Sequence, residues 1–278
     1  MHEFTITVDQ QFRLDASASF AMGFPGTTID ESGGSMAFAW AVDGEWTTVG
    51  VHLRQIGRTV HGEIVGSVSG DLADLVRRDV ERILCADVDG SGFAGTASND
   101  PVVASMHARF PGLRPVLFYT PYEAAAWCII GHRIRMSQAA GIKQRLGDKL
   151  GVLGAFPAPA RLEQLESGFK GLTDPKTEQL RQLGSAASSG LLSRDHLRAQ
   201  SYDDAIAELQ ELAGIGPFSA ELIMIRGVGV PDALPRHEKR MTAAIRQFYD
   251  TDDVAGVAEQ WRPYRSWVGL LLRAAASE

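Results

Sequence analysis

Two glycines one residue apart, Gly214-Ile215-Gly216, stand between a run that reads as a helix ending near Glu211 and a second helix opening at Pro217. Glycine reaches positive φ and lets another molecule approach the main chain closely. N–H groups at such a turn, beside the partly positive start of a helix, make an anion site suited to one phosphate. Pro217 suits the first helical position, Ser219 falls in the same turn, and Ile215 is expected to pack inward and lock the two helices. The same pattern also describes a glycine-rich turn that only joins two core helices.

Basic residues cluster near this segment. Arg236, His237, Lys239 and Arg240 fall within five residues, and His132, Arg133 and Arg135 within four. The net charge of −7 counts against a nucleic-acid partner when averaged over the chain, because phosphate contacts supply most non-specific affinity. The acids, however, concentrate at 71–89 and 201–211, which leaves room for a local basic face.

The elements that must position these residues are of two kinds. Residues 1 to about 70 read as strands and turns: FTITVDQQFRLD, MAFAWAVDGEWTTVGVHLRQI and VHGEIVGSVSG are β-rich, with glycines breaking them at FPG, SGG, VDG and VSG. Asp43-Gly44 signals a hairpin. Apolar spacing predicts a helix over 71–86. Past residue 100 the pattern becomes helices with short connections. Thr120-Pro121-Tyr122-Glu123 reads as an N-cap followed by proline at N1 and glutamate at N3. Further helices are expected at about 137–150, from Asp174-Pro175, from Ser201, at 252–260 and at 264–276. The expected fold is therefore an α+β N-terminal domain, an antiparallel sheet with helices, over 1–87, and an all-α domain over 88–278.

With 278 residues, 45% of them hydrophobic, the chain can bury a large core. No apolar run reaches the roughly 18 residues of a membrane span, and MHEFTITVDQ lacks the features of a secretory signal. A cytoplasmic protein with no membrane partner is expected. Cys85 and Cys128 are too few for a four-thiolate zinc or iron–sulfur site, and both sit in apolar runs that suit buried, inert thiols.

The segment LAGIGPFSAELIMIRGVGVPDALPRHEKRMTAAI resembles the helix-hairpin-helix DNA glycosylase superfamily, and within it 3-methyladenine DNA glycosylase II of the AlkA type. DPVVASMHARFPGLRPVLFYTPYEAAAWCIIGHRI, the closing WRPYRSWVGLLL and the β-rich first domain resemble the same family in the same order. The hairpin alone is moderately specific; the ordered set, covering almost the whole chain, is strong. The resemblance implies a monomeric base-excision enzyme acting on double-stranded DNA with a modified base. No cofactor is required, although family hairpins commonly hold a sodium or potassium ion on main-chain carbonyls, here those of Gln210, Leu212 and Ile215.

The chemistry implied is hydrolysis of an N-glycosidic bond, in which a carboxylate stabilises a cationic sugar or orients water. The superfamily carries an aspartate after a proline-containing loop, with an apolar helix residue three places later. Pro235, Met241 and Ile245 select Glu238, which lies 22 residues beyond Gly216. This is a departure: glutamate is one methylene longer, and a shift of about an ångström can cost on the order of 100-fold in rate. Glu238 reads as the catalytic carboxylate, as a relic in a weakly active DNA-binding or lesion-sensing homologue, or as a solvated acid at a helix start. His237 could orient water or meet a phosphate; a surface histidine in a basic loop is the plainer reading. Strand-cleaving members carry a lysine where this chain has Phe218, so no lyase step is expected. The wedge that fills the gap left by an extruded nucleotide falls on Arg133, beside His132. The matching base-pocket positions are Phe218, Leu222, Lys239 and Arg273. One aromatic with two cations makes a poor host for a cationic methylated base, which electron-rich faces would hold. Gly214, Gly216, Pro217, Ser219, Arg133, His132, Arg236, His237 and Arg240 are the expected DNA contacts.

Overall fold

Alternation of apolar and polar residues builds the first layer. The computed structural model describes residues 2–21, 28–29 and 34–276. Strands β1 (His2–Thr7), β2 (Thr28–Ile29), β3 (Ser35–Ala41), β4 (Thr48–Ile56) and β5 (Thr59–Ile64) form one sheet in the order β1-β5-β4-β3-β2, with all neighbours antiparallel. Met36, Phe38 and Trp40 on β3, and Val49, Val51 and Leu53 on β4, point to one buried face. Their intervening residues are more exposed. The FPG turn (24–26) and the first glycines of SGG lie outside the described residues.

The reading of residues 1–70 as strands and turns missed helix α1 (Leu14–Ala21). Asp9 caps the turn before it, accepting from the N–H groups of Gln11 and Phe12 at 2.8 and 3.0 Å. Helix α2 (Gly70–Ile83) covers the buried sheet face with Val76, Val80 and Ile83, capped by Ser69.

The remaining elements are helical: α3 (Phe93–Ser98), α4 (Pro101–Arg109), α5 (Pro121–Gly131), α6 (Met136–Leu150), α7 (Pro159–Glu163), α8 (Asp174–Ser188), α9 (Arg194–Ala199), α10 (Tyr202–Gln210), α11 (Pro217–Leu222), α12 (Lys239–Tyr249), α13 (Val254–Ala258) and α14 (Arg265–Ala276). Helix α11 runs on as a π-helical segment (Ile223–Val228) that stops at Gly229 in the left-handed region. The sequence signals at Thr120, Asp174 and Ser201 mark true starts; Thr120 Oγ1 accepts from Glu123 N at 3.1 Å. Short α7 and α9 left no pattern long enough to read.

Three apolar clusters result. One joins the sheet to α2, with Val116 and Tyr119. A second runs through α5 to the π segment and includes Ile215. A third gathers α3, α4 and the helices from α12 to α14, with Trp261, Tyr264 and Trp267 all buried. The site lies where the second and third meet.

Candidate active site

Three segments converge there. The first is the turn between α10 and α11. Gly214 has φ +89, which a side chain rarely adopts, and a Cβ would press on Gln179 at 2.9 Å. Ile215 is 5% exposed and packs into the second cluster. Gly216 departs from the expectation of positive φ: its backbone is extended, with φ −100 and ψ −176, as the N-cap of α11. A Cβ there would meet nothing, so the space outside this turn is open. The first-turn N–H groups of Phe218 and Ser219 have no helical acceptor and face that opening.

The second segment is the loop entering α12. Glu238 is its N-cap, its Oε1 accepting from Arg240 N at 3.2 Å. Met241 and Ile245 turn into the third cluster, and Glu238, at the N-cap one turn earlier on the same side of α12, stands at the edge of that cluster. Its side chain is 13% exposed, with Oε2 3.6 Å from Arg273 Nη1 on α14. Just before it, His237 gives its main-chain N–H to Glu221 Oε2 at 2.9 Å, and its Nδ1 lies 2.8 Å from Glu221 Oε1. Earlier in the loop, Asp232 is braced by Arg262 and Arg265.

The third is the turn after α5. Arg133 holds φ +57 and is exposed. Lys176 Nζ, on α8, donates to the carbonyls of Ile130 and His132 at 2.7 and 2.8 Å. This ammonium closes the carboxyl end of α5, where a cation is favoured. The thiol of Cys128, one turn back, is pushed up to about 12 by burial, as is that of Cys85.

Between these segments lie two adjoining spaces. An inner cavity of about 50 Å³ is lined by Phe218, Glu221, Leu222, Arg226, Glu238 and Arg273, among others. An outer groove of about 350 Å³ is lined by Trp127, His132, Arg133, Ser219 and Arg240 together with Phe218, Leu222, Glu238 and Arg273, which both spaces share. A base needs a pocket nearer the roughly 300 Å³ lower bound of small-molecule sites; the outer groove reaches it and the inner cavity does not.

Of the expected pocket residues, Phe218, Leu222 and Arg273 meet at this boundary. Lys239 needs correcting: it opens α12, is exposed, and is not among the lining residues, because the helix carries it about 100° round from Glu238. Arg226 supplies a second guanidinium instead. It donates to Val116 O at 2.7 Å, and burial lowers it to about 10. Arg236 and His237 are exposed near the rim but line neither space. Sequence reasoning also missed Trp127, a second aromatic. Its signal was its place four residues before Gly131, one helical turn from the turn that carries Arg133.

No family profile matches the chain. Over 203 residues it is 24% identical to the DNA-3-methyladenine glycosylase of Bacillus subtilis (strain 168), the match covering 67% of each chain. A 3-methyladenine DNA-glycosylase from Archaeoglobus fulgidus superposes over 99% of this chain and 98% of its own, with TM-score 0.79 at 19% identity. An 8-oxoguanine glycosylase/lyase of Clostridium acetobutylicum, solved with double-stranded DNA, gives TM-score 0.72 at 15% identity over 96% of this chain and 93% of its own. Over almost its whole length the chain is similar in fold to these DNA glycosylases, and the order of its hairpin and motifs resembles that of the helix-hairpin-helix superfamily. A second Bacillus subtilis (strain 168) relative, a putative DNA-3-methyladenine glycosylase, is 24% identical over 185 residues, 61% of this chain and 64% of its own.

Proposed function

We propose that this protein is a monofunctional DNA N-glycosylase that removes a modified base from duplex DNA, with Glu238 as its catalytic carboxylate. One observation carries the reading. Glu238, the one carboxylate shared by the two spaces, is held at 13% exposure on the boundary between them. Phe218, in the first turn after the hairpin, lines both spaces with Glu238, so the first-turn N–H groups that lack a helical acceptor belong to the same groove and suit a phosphate.

In this reading the extruded nucleotide enters past Phe218 and its sugar comes to lie over Glu238. The carboxylate stabilises positive charge growing on the sugar and orients the attacking water. Arg133 fills the vacated stack. Phe218, where an amine would be needed for a Schiff base, supports hydrolysis without strand cleavage. Arg226 and Arg273 disfavour a cationic base by like charge and favour one that presents carbonyl or anionic edges. The carbonyls of Gln210, Leu212 and Ile215 flank the hairpin turn. They are hard oxygen donors that suit a sodium or potassium ion, and the Leu212 carbonyl already accepts from Ile215 N at 3.0 Å. Such an ion would stiffen the turn.

The test is base release from duplexes carrying 7-methylguanine, hypoxanthine or a bulky ethenoadenine adduct, with wild type beside Glu238→Gln. The expected outcome is release by wild type, most slowly from the methylated purine, and a loss of at least roughly 100-fold in the variant. DNA binding with no release in either protein would make the chain a lesion binder. Preference for the methylated purine alone would refute the substrate reading.

A further inference from the structure

Glu221 is buried at 5% exposure in α11, three residues after Phe218 and next to Leu222. A carboxylate in such a place is costly unless its oxygens are satisfied. Both of its acceptor bonds come from one residue, His237, through the main-chain N–H at 2.9 Å and ring Nδ1 at 2.8 Å. The next residue is Glu238. We infer that Glu221 is a positioning residue: it clamps His237 from both ends and so sets where the Glu238 carboxylate stands in the groove. The inference rests on the reading of Glu238 as catalytic.

The geometry gives the clamp a specific task. One short helix carries the hairpin turn at its start, the groove lining at Phe218 and Leu222, and the clamp at Glu221. The loop from Pro235 to Glu238 has few other ties; Glu238 N lies 3.5 Å from Pro235 O, a long contact. Arg240 N and Arg273 hold Glu238 to α12 and α14, while the two Glu221–His237 bonds hold its loop to the hairpin helix. With those two bonds, hairpin and acid are fixed to one rigid element. A two-point grip also fixes the histidine ring, with Nδ1 as donor and Nε2 turned outward. The side chain of His237 is 55% exposed, so it is held at the rim and not used to fill a core.

Positioning errors tell on rate more than on affinity. Glu221→Ala is expected to lower single-turnover base release by roughly 10- to 100-fold. Its Kd for a duplex carrying a tetrahydrofuran abasic analogue should change by less than about threefold, since no phosphate contact is lost. Glu221→Gln should recover most of the rate. Its amide oxygen still accepts the His237 main-chain N–H, and its NH2 can donate to Nδ1 once the ring proton sits on Nε2. His237→Ala opens no core cavity, so it answers if Glu221→Ala does not fold; an intermediate loss of single-turnover rate at saturating DNA is expected, which loss of a phosphate contact alone would not produce. Wild-type saturating rates in both alanine variants would overturn the clamp, as would a fall in the DNA affinity of Glu221→Ala that matches its fall in rate. If wild type releases no base, the glycosylase reading fails separately. The Arg240 amide resonance, which reports its bond to Glu238, then decides: moved in Glu221→Ala it upholds the clamp, unmoved it overturns it.

Discussion

Arg273 shows how one side chain can set what a pocket accepts. Its Nη1 stands 3.6 Å from Glu238, at the boundary of the two spaces. Arg273→Phe replaces a cation with an electron-rich face. The ratio of 7-methylguanine to hypoxanthine release is expected to rise about tenfold, the effect of roughly 1.4 kcal/mol of differential binding. A ratio unchanged within twofold would show that the guanidinium does not choose the base. At this scale the sequence spoke unevenly. Glu238 could be selected because helical register is local, whereas Phe218 and Arg273 came from the family resemblance and not from their own surroundings. Glu221 could not, since nothing in its own surroundings says that it meets a histidine sixteen residues on. Lys239 was drawn into the pocket by motif position, which does not record the 100° turn between helix neighbours.

Helix α5 ends at the turn that carries Arg133 at the groove, so its stability bears on the site. Its N-cap, Thr120, is 1% exposed, and Thr120→Ala would strand the buried N–H of Glu123. A loss of about 1–2 kcal/mol in unfolding free energy is expected, measurable by urea titration, with base release preserved in what remains folded. No change in the midpoint would mean that water takes over as the acceptor of that N–H. Helices with a cap, a proline and a long apolar stripe were legible in the sequence. α1, α7 and α9 were not, because five to eight residues cannot display a helical period clearly. The π-helical turn after α11 also has no local signature; it packs so closely on α5 that a Cβ at Gly227 would clash with Pro121 and Ala124.

The whole molecule is tied together by a buried arginine. Arg194, fully buried on α9, donates to Asp79 of α2 at 3.2 Å and to the carbonyls of Tyr119 and Gly227 at 3.1 Å, while its N–H meets Asp43 at 2.8 Å. Sheet layer, α5 entry and π segment thus share one guanidinium. Arg194→Met leaves Asp79 buried without its countercharge and is expected to cost roughly 3–5 kcal/mol, read as a lowered calorimetric melting temperature. A melting temperature within a degree of wild type would show the layers to be held by apolar contact alone. This tie was invisible beforehand, since it spans 115 residues of chain. The small volume of the inner cavity, about 50 Å³, bears on how such a protein would choose its base. A space that small holds no base, so in the proposed reading the extruded base lodges in the outer groove and the inner cavity has room for little more than water on the far side of Glu238. Discrimination would then rest on what the outer groove admits, and a residue that fills the inner cavity would alter rate more than choice of base.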